Sequence, residues 1–109
     1  MMAPRLAAGM LVSALIRRVE AEGGTLMVLA KGDATAGALL IQLAERGVPG
    51  ALLERRLDRN GDYRWSTTGP DEPEQRGDYI ARRRRSDPDL WVIELDSPEG
   101  MRLVEEVAG

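Results

Sequence analysis

The sequence predicts one α+β domain over residues 1–109: a largely antiparallel sheet of about five strands with three helices, in the order α-β-β-β-β-α-β-α. Three observations carry this. Leu11, Leu15 and Val19 recur at helical spacing while Ser13, Arg17 and Glu20 share another side, which marks an amphipathic helix. Short apolar runs then alternate with Gly, Pro, Asn and Asp punctuation, as strands do. Finally, a basic run meets the acidic turn Asp87-Pro88-Asp89 and an apolar segment. Pro88 disfavours helical geometry at Asp87, so this junction reads as helix, sharp turn, strand. The order of elements places the helices on one face of the sheet.

Pro4 suits the first turn of the opening helix, which Gly23-Gly24 stop. Arg18 with Glu22, and Arg17 with Glu20, have the spacing of ion pairs on its solvated face. Residues 26–30 form a short continuous apolar run, as expected of a strand covered on both faces. Residues 31–37 are a loop of turn formers. In residues 38–44, Leu39, Ile41 and Leu43 alternate with Leu40, Gln42 and Ala44, which favours a second strand. Gly47-Val48-Pro49-Gly50 then breaks the chain.

The next hairpin has two registers. A two-residue turn at Asn60-Gly61 sets Trp65 opposite Arg56 and scatters the apolar residues over both faces. A three-residue loop, Arg59-Asn60-Gly61, sets Leu57 opposite Tyr63, Arg55 opposite Trp65 and Leu53 opposite Thr67. The apolar residues then gather on one face, so burial selects the second register, with Gly61 at positive φ. It brings Arg55 over Trp65 as a cation–π pair.

Residues 67–73 form a linker loop. Asp71 with Glu74 three residues later marks a helix start, and the helix runs to about residue 85 with Tyr79 and Ile80 as its apolar anchors. Residues 90–96 form a strand with Trp91, Ile93 and Leu95 on one face. Ser97 is a good N-cap and Pro98 a good first residue for a closing helix that packs Leu103, Val104 and Val107 inward.

Composition narrows the chemistry. The chain has no Cys and no His, so disulfides, thiolate metal sites, Cys nucleophiles and the commonest general base and zinc ligand are excluded. A net charge of −3 opposes generic nucleic-acid binding, which rests on many phosphate-neutralising cations. The apolar run from Leu6 to Ile16 imitates a signal peptide, but Arg17 and Arg18 follow where small neutral residues are needed, and the run is too short to span a bilayer. The expectation is a cytoplasmic protein with no membrane contact.

Several motifs fall short of their chemistry. Gly32 and Gly37 have the spacing of phosphate-loop glycines, but Ala38 and Leu39 stand where Lys and Ser or Thr belong. Asp58, Asn60 and Asp62 open like a calcium loop, but Tyr63 and Gly69 occupy its Gly and Glu positions. The run Arg82, Arg83, Arg84 and Arg85 points nearly all round a helix whose start is acidic, so helix polarity accounts for it. Asp87, Asp89, Glu94 and Asp96 are oxygen ligands for magnesium only if other elements help, because about 3.3 Å per strand residue separates the pairs too widely. Ser13, Ser66, Ser86 and Ser97 lack a His base, and only Lys31 replaces one.

Three segments resemble a family of small bacterial proteins catalogued as domain of unknown function 1491. They are Leu15-Ile16-Arg17-Arg18, the loop Gly32-Asp33-Ala34-Thr35-Ala36-Gly37-Ala38, and the stretch from Arg83 through Asp87-Pro88-Asp89-Leu90-Trp91 to Glu94. The resemblance covers most of the chain, is most specific in the last segment and is poorest over residues 48–69. It implies a self-contained bacterial domain and no particular activity.

By subtraction, the sequence points to a non-catalytic protein-interaction or regulatory module with no cofactor and no resident metal. Its candidate contact surface is Asp33, Arg83, Arg84, Asp87, Asp89 and Trp91. The expected partner is a protein, a second copy of the chain among the options. The alternatives are a nucleic-acid binder using residues 82–85 with Trp65 or Trp91 for stacking, and a magnesium-dependent enzyme built on the carboxylates.

Overall fold

A computed structural model describes residues 6–109; Pro4, expected in the first helical turn, lies outside them. The elements are α1 (Ala8–Ala21), β1 (Thr25–Ala30), β2 (Leu39–Glu45), β3 (Val48–Leu57), β4 (Tyr63–Thr68), α2 (Pro73–Ser86), β5 (Trp91–Asp96) and α3 (Gly100–Ala108). Their order is the expected one. The strands form one sheet in the order β1-β5-β2-β3-β4. β5 runs antiparallel to β1 and parallel to β2, and the remaining pairs are antiparallel.

β2 and β5 lie inside the sheet and are apolar on both faces, so both faces need cover. On one face, Leu11, Leu15 and Val19 of α1 and Leu103, Val104 and Ala108 of α3 pack on Leu39, Ile41, Leu53, Trp65, Trp91, Ile93 and Leu95. On the other, Tyr79 and Ile80 of α2 cover Leu40, Leu52, Leu90 and Val92. The helices therefore occupy both faces, which corrects the one-face expectation. Each fully buried Leu or Ile here contributes about 1.5–3 kcal/mol relative to an exposed one.

A second correction concerns β1. It is an edge strand, not a covered one: Met27 is 62 % exposed, Leu29 49 % and Val28 39 %. An apolar run reads alike at the centre and at the edge of a sheet; β5, inserted from far along the chain, decides which it is. The chain break also shifts. Arg46 and Gly47, both at positive φ, make the turn between β2 and β3, and β3 begins at Val48. Pro49 is tolerated in this strand because it faces Ala44 where the pairing register shifts. The buried Gln42 amide donates to Leu43 O (2.7 Å) and Gly50 O (2.9 Å), satisfying carbonyls beside that irregularity.

The β3–β4 hairpin has the three-residue loop and the expected register: Leu57 opposite Tyr63, Arg55 opposite Trp65, Leu53 opposite Thr67, with Gly61 at φ 81°. Asp58 organises the loop, accepting from the Asn60 and Asp62 amides (2.9 Å each) and from Arg64 Nε (2.7 Å). α2 starts later than expected, with Pro73 at its first position and no side-chain cap, so the Asp71–Glu74 capping box does not form. Before α3, Ser97 Oγ accepts from the Glu99 amide (3.1 Å), so Ser97 and Pro98 build the entry turn while regular helix starts at Gly100.

Candidate functional site

The loop between β1 and β2 and the turn between α2 and β5, which carry the family resemblance, lie against each other. Asp33 is their hub. Its carboxylate accepts from the Thr35 (3.1 Å) and Ala36 (2.7 Å) amides, curling the loop on itself. Its amide donates to Asp89 O (2.9 Å), and its carbonyl accepts from the Trp91 indole N–H (2.8 Å). The Trp91 amide in turn donates to Ala38 O (2.8 Å). A side chain at Gly32 or Gly37 would overlap the Asp89 carbonyl oxygen and crowd the Trp91 ring. The spacing of these glycines thus serves close approach of two backbones, not a phosphate.

The basic run divides by direction. Arg83 pairs with Glu54 of β3, donates to Tyr79 Oη (3.0 Å) and lies 5.8 Å from the Tyr79 ring centre. The Glu54 carboxylate and the Tyr79 hydroxyl raise the Arg83 pKa further above its ordinary value. Arg84 donates to the carbonyls of Leu90 (2.7 Å) and Pro88 (3.0 Å), clamping the turn that follows its own helix. Arg82 and Arg85 are exposed. Asp87 ends the helix and accepts from the Asp89 amide (3.1 Å).

Of the six predicted contact residues, Asp33, Asp87, Asp89 and Trp91 are gathered at the junction, with Arg84 binding across it. Arg83 sits apart, bound to the sheet. Trp91 is only 5 % exposed and belongs to the core. Trp65 is buried as well, its indole donating to Ala108 O (3.2 Å), and Arg55 stacks 6.0 Å from its ring as the hairpin register requires.

The other carboxylates are dispersed. Asp96 uses both oxygens on the β2–β3 turn, accepting from the Arg46 (2.9 Å) and Gly47 (2.8 Å) amides. Among the described residues, no group of three or more acidic side chains is placed to hold a metal ion. A recess of about 740 Å³ opens between the start of α1, residues 35–38 and the end of α3, with Arg55, Tyr63 and Trp65 on its wall. Its polar lining includes Thr35, Tyr63, Arg55 and Glu54, the last paired with Arg83.

Sequence reasoning missed three groups: Glu54, the partner of Arg83; Asp96, the clamp on the turn; and the exposed edge of β1. The first two carry no local signal, because their partners lie 29 and about 50 residues away. The third did have one: residues 26–30 contain no charge and no Pro, so their position in the sheet decides between core and contact surface.

A family model described as a protein of unknown function, DUF1491, matches residues 6–105. The chain is similar to a crystal structure of a DUF1491 family protein from Caulobacter crescentus CB15, at 32 % identity and TM-score 0.77, covering 90 % of this chain and 94 % of that one. An NMR structure of a DUF1491 family protein from the same organism gives 32 % identity and TM-score 0.76, over 93 % and 94 % of the two chains. The solution structure of protein Atu0922 from A. tumefaciens gives 34 % and 0.73, over 90 % and 92 %. No curated protein matches.

Proposed function

Because the chain belongs to the DUF1491 family, whose description gives no function, we propose from its own surface that it is a non-catalytic protein-interaction module of the bacterial cytoplasm. The observation that carries this reading is the outer edge of β1, where Met27, Val28 and Leu29 stand exposed beside unpaired backbone groups. Natural proteins blunt such edges with charge, Pro or cover, and an edge left apolar is a template for another chain. The edge runs directly into Lys31 and Asp33, so the outward part of the junction extends the same surface. No described helix is long and apolar enough to cross a membrane.

The nucleic-acid alternative draws little support. Arg83 and Arg84 are committed to Glu54, Tyr79 and backbone carbonyls, and both Trp rings are buried rather than offered for stacking. Titration with single-stranded and duplex probes at two salt concentrations is expected to show no binding even at low salt.

Affinity capture from the native cell tests the main reading with two variants. Met27→Lys is expected to lose the bound proteins, while the double variant Arg82→Gln, Arg85→Gln keeps them. A bound set unchanged by Met27→Lys would remove β1 as the docking element.

A further inference from the structure

We infer that α2 is a detachable cover: it leaves the sheet and melts as one unit while the rest of the fold stays formed, uncovering the apolar face of Leu40, Leu52, Leu90 and Val92. The stripe that α2 turns to the sheet sets it apart from the other helices. Its half-buried residues are Arg76, Tyr79, Ile80, Arg83 and Arg84, at helical spacing, and every other α2 residue is exposed. Three of these five are arginines. The buried stripes of α1 (Leu11, Val12, Leu15, Val19) and α3 (Leu103, Val104, Ala108) are apolar throughout. One face of the sheet is therefore closed by aliphatic packing and the other largely by guanidinium groups.

Those groups hold α2 by polar contacts. Arg76 donates to the Gly50 carbonyl of β3 and to the Pro70 (3.2 Å) and Asp71 (3.0 Å) carbonyls of the entry loop. Arg83 pairs with Glu54, the Tyr79 and Thr68 hydroxyls bond at 3.2 Å, and Arg84 binds the exit turn. Tyr79 and Ile80 are the apolar side chains of α2 that pack on the face below. A polar contact is exchanged for water when the helix leaves, so its net contribution is modest. The aliphatic seams of α1 and α3 have no such substitute.

The sheet stays assembled without α2. β3 holds β4, while β1 and β2 hold β5, and the larger apolar cluster lies under α1 and α3. The exit hinge falls between Ser86 and Asp87, because the Asp87 and Asp89 carbonyls stay bonded to the Leu90 and Asp33 amides. The entry hinge is the loop from Gly69, at φ 77°, to the exposed Glu72. Once released, α2 has no side-chain cap and carries Gly77 at its centre. An isolated helix of 14 residues with these features does not hold its shape in water.

Thiol labelling at two adjacent core positions tests this. Val92 and Ile93 are 1 % and 0 % exposed and lie under opposite covers, Val92 under α2 and Ile93 under α1 and α3. The chain has no Cys, so single cysteines report cleanly. Under native conditions Val92→Cys is expected to react with a soluble thiol reagent about tenfold or more faster than Ile93→Cys. Low urea is expected to speed Ile93→Cys steeply and Val92→Cys weakly, because local opening exposes less surface than unfolding. Adding Glu54→Gln is expected to speed Val92→Cys about tenfold or more. Equal rates with equal urea dependence mean that this face opens only when the whole chain unfolds, which overturns the inference. Should a cysteine variant not fold, hydrogen exchange of the wild-type chain decides. The hydrogen-bonded amides of α2 are expected to exchange together and ahead of those of α1; exchange no faster than α1 overturns the cover.

Discussion

Trp91 and Asp33, 58 residues apart in sequence, are joined by a 2.8 Å hydrogen bond from the indole N–H to the backbone carbonyl. That bond closes the loop after β1 onto the first residue of β5, the strand that splits β1 from β2. It turns the most information-rich part of the sequence into a fastener of the fold. Trp91→Ala is expected to cost about 3–5 kcal/mol, the range for emptying a buried aromatic site. Trp91→Phe keeps most of the volume and loses the bond, so a smaller loss in urea unfolding separates the two contributions.

Gly37→Ala tests the same contact from the other side. The added methyl group meets the Asp89 carbonyl and the Asp33 carbonyl, both backbone groups that cannot rotate away. A loss of about 1–3 kcal/mol is expected, typical of overpacking. Gly47→Ala supplies a contrast: nothing lies within 4 Å of the new methyl, so its cost comes from positive φ alone.

The Arg83–Glu54 pair fixes α2 to the sheet, and both side chains are mostly shielded, at 28 % and 13 % exposure. α2 has no buried residue, so it docks through this pair, through Arg76 donating to the Gly50 carbonyl of β3, through Arg84 on the following turn, and through the Tyr79 and Ile80 contacts. Arg83→Met is expected to cost about 1.5–3 kcal/mol, as for a hydrogen bond to a charged group. A double-mutant cycle with Glu54→Gln is expected to show coupling of about 0.5–3 kcal/mol, whereas Arg82→Gln couples to nothing.

Asp96→Asn replaces an acceptor by a donor facing two backbone amides of the β2–β3 turn. Leaving one such N–H without a partner costs about 1–3 kcal/mol. The loss should appear as a lower melting temperature in thermal unfolding at neutral pH.

Acid weakens the fold through carboxylates held in charged form. The Asp62 amide first, and then Arg64, hold Asp58 below its ordinary value of 3.8. Arg18 lowers Glu22, and Arg102 lowers Glu106, below 4.5. A depressed carboxyl binds fewer protons folded than unfolded, so its contribution is complete above the unfolded value and lost as pH falls through the folded one. Melting temperature is therefore expected to be flat from about pH 7 to 5 and to fall below about pH 4.5. Glu22→Gln with Glu106→Gln flattens that fall, because it removes the exposed α1–α3 bridge made by Arg18 and Arg102.

Local chemistry was legible and long-range pairing was not. The three-residue loop followed from keeping Leu53, Leu57, Tyr63 and Trp65 on one face, and the structure has that register. The same kind of reading failed for residues 26–30, because apolar composition does not say which neighbour arrives. The parallel pairing of β2 with β5 moved β1 to the edge. The arginine run showed its helix polarity but not its partners: Glu54 lies 29 residues from Arg83. The predicted contact residues gather largely into a closed junction at Asp33 and Trp91, and the open edge at Met27 lies outside that prediction.

Amide hydrogen exchange tests that separation most directly. The amides of Asp33, Leu90 and Trp91, bonded to Asp89, Asp87 and Ala38, are expected to exchange only through global opening. The outward amides of residues 25–28, which face away from β5, are expected to exchange much faster, without global opening. Outward β1 amides as slow as those of the junction, or fast exchange at the junction instead, contradict the division into a closed junction and an open β1 edge.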